Sequence, residues 1–223
     1  MDINDKLVIA IDGPSGSGKS TTSKGVARVL GLRYLDTGAM YRAATCAFLD
    51  AGIAPDDTQQ VIAAVASAQI EISTDPDIEK VVVNGKDVTA AIRAPEISAT
   101  VSTISTIPQC REVLVAQQRK IITEAVPGIV AEGRDITTVV APDAAVRLLL
   151  TADPDIRMAR RKRDLDSNID AAALADQVLR RDRDDSKLVN FTDAAAGVIE
   201  LDCSDLSLAE TIEAVLSLVT HRP

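Results

Sequence analysis

Short apolar runs alternate with longer segments of helical periodicity along most of this chain. Residues 7–11 form an apolar run too short for a helix, and Asp12 and Gly13 follow it, as expected for a buried strand of a parallel sheet. From 20 to 30 apolar residues recur at helical spacing, and Gly31 stands where a helix commonly ends. A strand, a glycine loop and a helix in this order predict the first unit of a doubly wound α/β sheet.

The pattern changes in the middle of the chain. Residues 69–72 and 80–83 are short β-prone runs, and Asn84-Gly85 is typical of a type I′ hairpin turn. Buried-strand runs of the parallel type then return at 128–131 and 145–150. We therefore expect a small antiparallel subdomain inserted into a parallel α/β core.

Charge limits the classes of partner. The chain has 24 lysine and arginine residues against 33 aspartate and glutamate residues, a formal net charge of −9, and it has four aromatic residues and no tryptophan. An acidic surface with few stacking side chains does not favour nucleic acids or anionic membranes. Any phosphate that the protein binds must therefore be held by a local cluster of basic residues.

The cysteines and the first residues bear on the compartment. Cys46, Cys110 and Cys203 are far apart and the single histidine is His221, which argues against a zinc site or a disulfide framework and favours buried free thiols. The first residues match neither a signal peptide nor a transit peptide, and no run approaches the about 18 apolar residues that span a bilayer. We expect a soluble, cytoplasmic protein.

The strongest motif lies between the first predicted strand and helix. It has the pattern GxxxxGK[ST], in which glycines turn backbone amides towards phosphate oxygens, the lysine reaches the β and γ phosphates, and the hydroxyl ligates Mg²⁺. The helix adds its positive N-terminal end. We expect a nucleoside triphosphate site formed by Gly13, Pro14, Ser15, Gly16, Ser17, Gly18, Lys19, Ser20 and Thr21.

Three classes of protein use such a loop: GTPase switches, motor ATPases and small-molecule kinases. A GTPase needs an NKxD element to read guanine, and residues 84–87 (NGKD) have the wrong order. A motor is usually longer. A kinase needs arginines from several parts of the chain, because two phosphate groups must be neutralised together.

Arginines do follow several predicted strands and lie on one predicted helix. Residues 36–42 (DTGAMYR) suit an anion pocket, although a plain helix N-cap at Thr37 explains part of that motif. Residues 133–135 (GRD) follow a buried strand and form either a ligand site at the sheet edge or a loop cap. Helical spacing places three arginines on one face, as a mobile lid or a solvated basic stripe, namely Arg157, Arg160 and Arg161.

Together these segments resemble the bacterial cytidylate kinase family. The matching signatures are IDGPSGSGKST (11–21), LDTGAMYR (35–42), AEGRD (131–135), RMARR (157–161) and RRDRDDS (180–186). The resemblance implies a P-loop NTPase fold of the α/β class, a doubly wound parallel sheet with helices on both faces, an inserted antiparallel β/α monophosphate-binding subdomain and a helical lid. It places the insertion at about 37–107, the lid at about 156–169 and the core in the rest of a single domain, 1–223.

The resemblance also implies roles. The protein would transfer the γ-phosphoryl group of ATP, with Mg²⁺, to CMP or dCMP, in pyrimidine nucleotide metabolism and as a monomer. Its catalytic residues would be Lys19, Arg42, Arg134, Arg157 and Arg161, with Ser20 on the metal. Its acceptor residues would be Thr37, Arg42 and Arg134 at the α-phosphate, Ser102, Arg111 and Asp135 at cytosine, and Arg181 and Asp185 at the sugar.

The chemistry of Asp135 agrees with a cytosine reader. A carboxylate accepts a hydrogen bond from the 4-amino group of cytosine, whereas uracil presents a carbonyl there and would face a second acceptor. Two alternatives stay open at this point: a kinase for another small acceptor such as UMP, and a switch that binds ATP without an acceptor.

One departure from the family's pattern leads to a prediction. The family usually has an arginine three residues after the position of Asp185, where this chain has Leu188, preceded by Lys187. We expect Lys187 to compensate only in part, so Leu188→Arg should lower the Michaelis constant for CMP by about three- to tenfold through a charge-assisted contact. Steady-state kinetics test this, and an unchanged constant contradicts it.

Overall fold

The structure is a computed structural model that describes residues 6–164 and 193–220. The chain divides into two compact units: the described parts of Met1–Tyr34 and Ala125–Pro223 form the first, and Leu35–Glu124 forms the second. Arg181, Asp185, Lys187 and Leu188 lie outside the described residues. No helix in the described part of the chain combines the length and apolar character needed to cross a bilayer.

The described residues form eight strands and seven α-helices. In chain order they are β1 (Leu7–Asp12), α1 (Lys19–Leu30), β2 (Arg33–Asp36), α2 (Thr37–Asp50), α3 (Thr58–Ser67), β3 (Ile70–Ile72), β4 (Val81–Val83), β5 (Lys86–Asp87), α4 (Pro95–Thr106), α5 (Pro108–Glu124), β6 (Gly128–Gly133), β7 (Val146–Thr151), α6 (Pro154–Asp164), β8 (Ile199–Asp202) and α7 (Leu208–Thr220). A short π-helical turn, Ile136–Val140, follows β6.

The larger sheet has the strand order β2-β6-β1-β7-β8. Strand β1 pairs in parallel with β6 and with β7, and β7 pairs in parallel with β8. Asp12, the last residue of β1, lies opposite Gly133 of β6 and Leu149 of β7. The carboxyl ends of these strands therefore meet at one edge, where the loops after β1, β6 and β7 emerge.

Apolar side chains explain why these short runs fold as strands. Ile9, Ile11 and Leu148 are fully buried and pack with Val26 of α1 and Val215 of α7. Burying each such side chain contributes about 1.5–3 kcal/mol. The predicted α/β class and parallel core sheet are confirmed.

The second unit combines four helices with the small sheet β3-β4-β5, which is antiparallel. Asn84 has φ 49° and Gly85 has φ 78°, so both central residues of the turn have the positive φ of a type I′ hairpin. One apolar cluster joins α2 to β4, and another joins α2 to α3 and α5. The predicted hairpin is confirmed, while the predicted limits of the insertion and the lid stay predictions.

The last helix begins with a capping box, which gives a stability prediction. The Ser207 N–H donates to Glu210 Oε2 (2.8 Å), and the Glu210 N–H donates to Ser207 Oγ (3.3 Å). We expect Ser207→Ala to lower the melting temperature by about 2–4 °C at neutral pH, measured by calorimetry.

The same contact predicts a pH dependence. Hydrogen bonds from the hydroxyl and the backbone of Ser207 hold the pKa of Glu210 below its ordinary value of 4.5. Stabilisation by the ionised carboxylate is therefore complete above pH 4.5 and is lost as the pH falls through the lowered pKa. The difference between wild type and Ser207→Ala should shrink there, and a constant difference contradicts the capping account.

Candidate nucleotide and phosphate site

The phosphate loop lies between β1 and α1, as the motif predicts. Gly18 caps the N-terminus of α1, which has neither a side-chain cap nor an acidic residue in its first turn. The positive end of this helix is therefore suited to an anionic ligand. Lys19 is 8% exposed and its Nζ donates to the Pro14 carbonyl (2.8 Å), whereas Ser20 and Thr21 are exposed.

Gly16 allows the loop to pass close to α6, which gives a prediction for ATP binding. Its φ is 77°, and a Cβ there would lie 2.5 Å from the backbone oxygen of Arg157. We expect Gly16→Ala to weaken ATP binding by about tenfold or more, since the residue must adopt a left-handed φ and also displace backbone. Titration calorimetry measures the affinity.

Gly52→Ala is the matched control for that variant. Gly52 has φ 70° but open space around the position of a Cβ, and it follows α2 in the second unit. This variant carries the same backbone strain without the clash, so its ATP affinity should equal that of the wild type. Equal losses of ATP affinity in both variants would show that the loss is not specific to the phosphate loop, and would contradict the prediction.

Two arginines of α6 bond to carbonyl oxygens of the phosphate loop. Arg157 Nη1 donates to the Ser15 carbonyl (3.0 Å), and Arg160 Nη1 donates to the Ser17 carbonyl (3.3 Å). Arg160 Nη2 also donates to the carbonyl of Cys203 (2.9 Å). The alternative of a solvated basic stripe is therefore wrong for these two arginines. The side chain of Arg161 lies outside the described residues.

All three cysteines are free and buried, which confirms the sequence prediction. Burial raises the pKa of the Cys46 and Cys110 thiols above their ordinary value. Cys203 follows β8, and its Sγ lies 3.2 Å from the carbonyl oxygen of Ser17 and 3.1 Å from that of Thr151. This thiol therefore packs directly against the phosphate loop.

Arg134 and Asp135 follow β6 at the same edge of the sheet. Arg134 Nη1 donates to the carbonyl of Gly13 (2.6 Å), so the first glycine of the phosphate loop contacts the arginine predicted to hold the acceptor phosphate. Asp135 is 5% exposed and begins the turn Ile136–Val140, but the carboxylate that caps this turn belongs to Asp12. In the loop-cap alternative the side chain of Asp135 would cap this turn, but the side chain that does so is that of Asp12.

In the second unit, Asp36 holds the start of α2. Its Oδ1 accepts from the Ala39 N–H (2.8 Å) and its Oδ2 accepts from Arg42 Nη2 (3.0 Å). The N-cap is therefore Asp36, and the alternative of an N-cap at Thr37 is wrong because Thr37 is already the first helical residue. Arg42 Nε is buried and, among the described residues, has no hydrogen-bond partner.

Thr37, Arg42, Ser102 and Arg111 all lie in the second unit. The first two belong to α2, Ser102 belongs to α4 and Arg111 to the first turn of α5, and these three helices pack against one another. The structure thus places four of the predicted acceptor residues on three neighbouring helices.

The sequence reasoning missed two side chains of the first unit, Asp12 and Thr137. For Asp12 a usable signal exists, because an acidic residue ends a buried strand directly before the phosphate loop. Thr137 carried no sequence signal, because it meets Asp12 only when β1 and β6 pair.

The phosphate loop lies at the carboxyl edge of a parallel sheet, and three arginines donate hydrogen bonds to its carbonyl groups. This arrangement is typical of the P-loop kinase class. Two solved structures share this fold: shikimate kinase from Bacteroides thetaiotaomicron (TM-score 0.52, 11% identity, 96% of this chain and 98% of that chain) and a sugar kinase from Janibacter (TM-score 0.51, 16% identity, 96% and 95%). At these identities the likeness concerns the fold alone.

Sequence comparisons are more specific. The family model for cytidylate kinase matches residues 9–221. The chain is 50% identical over 214 residues to the cytidylate kinase of Cutibacterium acnes, with 96% of each chain covered. It is 44% identical over 225 residues to that of Mycobacterium avium, covering 97% of this chain and 96% of the relative. The chain belongs to the cytidylate kinase family.

Proposed function

We propose that this protein is an ATP-dependent kinase that phosphorylates CMP or dCMP, giving CDP or dCDP and ADP. One observation carries the proposal beyond family membership: Arg134 donates to Gly13 of the phosphate loop (2.6 Å). A group predicted to hold the acceptor is thus in contact with the loop predicted to hold the donor. A protein that only binds ATP has no need of this juxtaposition.

The donor site consists of residues 13–21. Backbone amides of the loop and the open N-terminus of α1 would hold the phosphates of ATP, and Lys19 would neutralise the β and γ phosphates. Arg157 and Arg160 fix the loop by bonding its carbonyl oxygens at Ser15 and Ser17. These two carbonyl groups are therefore held by arginines of α6.

We assign acceptor binding to six of the described residues. Thr37, Arg42 and Arg134 would bind the α-phosphate, and Ser102, Arg111 and Asp135 would read cytosine. The contacts of Arg42 support its role at the α-phosphate. Asp36 binds only Nη2, and the buried Nε has no hydrogen-bond partner among the described residues. Arg181 and Asp185, proposed for the sugar hydroxyls, lie outside the described residues.

Phosphoryl transfer in this site needs alignment and charge neutralisation more than proton transfer. Lys19, Arg42, Arg134, Arg157 and Arg161 would supply positive charge around the transferring group. The exposed hydroxyl of Ser20, a hard oxygen donor, fits Mg²⁺, which would neutralise charge on the ATP phosphates. No side chain need act as a general base in this account.

The rival from another class is an ATP-binding switch without an acceptor. Steady-state ADP production should depend strictly on added CMP. Slow ADP release that CMP leaves unchanged would favour the switch and contradict the proposal. We further predict that the protein acts as a cytoplasmic monomer in pyrimidine nucleotide metabolism, with neither nucleic acid nor membrane as partner.

A further inference from the structure

Asp12 is a buried carboxylate with no role in the mechanism above. It ends β1 directly before the phosphate loop, and its side chain is almost wholly enclosed, with 2% of the residue exposed. Oδ1 accepts from the Ile136 N–H (2.9 Å), and Oδ2 accepts from the Thr137 N–H (2.8 Å) and the Thr137 hydroxyl (2.6 Å). Both oxygens are therefore committed to the turn that follows Arg134 and Asp135.

A fourth hydrogen bond joins the same two segments, again with its donor in residues 134–137 and its acceptor in residues 12–13. Arg134 Nη1 donates to the carbonyl of Gly13, the residue after Asp12. Residues 12–13 and 134–137 are thus joined twice, through the carboxylate of Asp12 and through the guanidinium of Arg134. A shift of Arg134 or Asp135 relative to the phosphate loop would break bonds in a buried region, where a lost partner is costly.

Stability alone does not explain a carboxylate at this position. Burial raises the pKa of Asp12 above its ordinary value of 3.8 despite its bonds to Thr137 and Ile136, and the nearby charge of Asp135 raises that pKa further. The ionised form of Asp12 is therefore less favourable here than in water. A buried charge of this kind is weak evidence for a stabilising role, so a role in geometry is the better explanation.

We propose that Asp12 and Thr137 are positioning residues, which fix Arg134 and Asp135 against the phosphate loop so that acceptor and donor are aligned for transfer. The inference rests on the proposed function of Arg134 and Asp135 at the acceptor. It has a kinetic consequence, because displacing a reacting group by about 1 Å can cost about 100-fold in rate. The loss should fall on the acceptor and on kcat, not on ATP binding.

Thr137 provides the sharper test, since valine has nearly the shape of threonine and removes only the hydroxyl. We expect Thr137→Val to lower kcat/KM for CMP by about tenfold, with the affinity for ADP, measured by titration calorimetry, changed by less than about threefold. Thr137→Ser retains the hydroxyl and should stay within about twofold of the wild type in both measurements. Asp12→Asn, which keeps the size but places N–H groups near two donors, should lower kcat/KM by about 100-fold.

Melting temperatures of all variants are measured alongside, and the Thr137 pair decides the matter if Asp12→Asn does not fold. Three results would each overturn the positioning role. The first is a folded Thr137→Val variant with unchanged kinetics, and the second is a Thr137→Ser variant no more active than Thr137→Val. The third is a loss of ADP affinity as large as the loss of kcat/KM for CMP. A wild type that fails to phosphorylate CMP contradicts the proposed function instead. The same variants are then compared on the acceptor that the wild type does use, so the two failures are distinguishable.

Discussion

Lys19→Ala should reduce kcat by about 1,000-fold, because it would remove a charge that we propose to lie close to the transferring phosphoryl group, and phosphoryl transfer depends on electrostatic stabilisation. The fold should persist, since within the first unit the Lys19 ammonium bonds the Pro14 carbonyl and is not part of the apolar core. Steady-state ADP production with saturating CMP measures the rate, and far-ultraviolet circular dichroism checks the fold.

Lys24→Ala is the matched control for this prediction. Lys24 lies in the same helix, with its Nζ 5.5 Å from the centre of the Tyr34 ring, and it is outside the phosphate loop motif. Its removal changes the net charge by the same amount, so its rate should stay within about twofold of the wild type. A Lys19→Ala variant as active as Lys24→Ala would remove the basis for the ATP site.

Asp135→Ala should abolish the preference for CMP over UMP, and it should lower kcat/KM for CMP by about 100-fold. The physical reason is that, in the proposed role, the carboxylate would accept a hydrogen bond from the 4-amino group of cytosine and would repel the carbonyl of uracil. Competition between CMP and UMP at equal concentrations, followed by separation of the diphosphate products, measures the ratio directly.

Asp135→Asn sharpens the same test, because its amide can donate to the uracil carbonyl. We expect this variant to gain activity on UMP relative to Asp135→Ala. Asp143→Ala is the surface control: Asp143 is an exposed acid shortly before β7, and its loss should leave the ratio unchanged. Unaltered selectivity in both Asp135 variants would contradict the assignment of this residue to cytosine.

Local patterns in the sequence predicted most of the fold. The apolar run at 7–11, the glycines of the loop and Asn84-Gly85 each determine their own backbone through burial or φ, so β1, the phosphate loop and the hairpin were predictable. The capping box at Ser207 is equally local, because its partners are three residues apart.

Contacts between distant segments could not be predicted in this way. The bond from Arg134 to Gly13 and the bonds from Thr137 to Asp12 depend on the pairing of β1 with β6, more than 100 residues apart in the chain. Likewise, helical spacing placed Arg157 and Arg160 on one face, but it could not show that loop carbonyls lie opposite that face. The roles of these residues toward ATP and the acceptor stay predictions.

The acidic composition is compatible with binding of two phosphate ligands, because folding brings basic residues from distant segments together. A formal net charge of −9 describes the whole chain, whereas Lys19, Arg134, Arg157 and Arg160 lie on or against one loop in the first unit. Local charge, not net charge, determines binding of a small anion at this range.

An acceptor screen tests the central claim most directly. Purified protein with ATP and Mg²⁺ is supplied in turn with CMP, dCMP, UMP, AMP and GMP, and ADP production is followed at several concentrations of each. The account predicts that CMP or dCMP has a kcat/KM at least about 100-fold above that of the other acceptors. Equal or greater efficiency with UMP or a purine monophosphate, or ADP production that no acceptor stimulates, would contradict it.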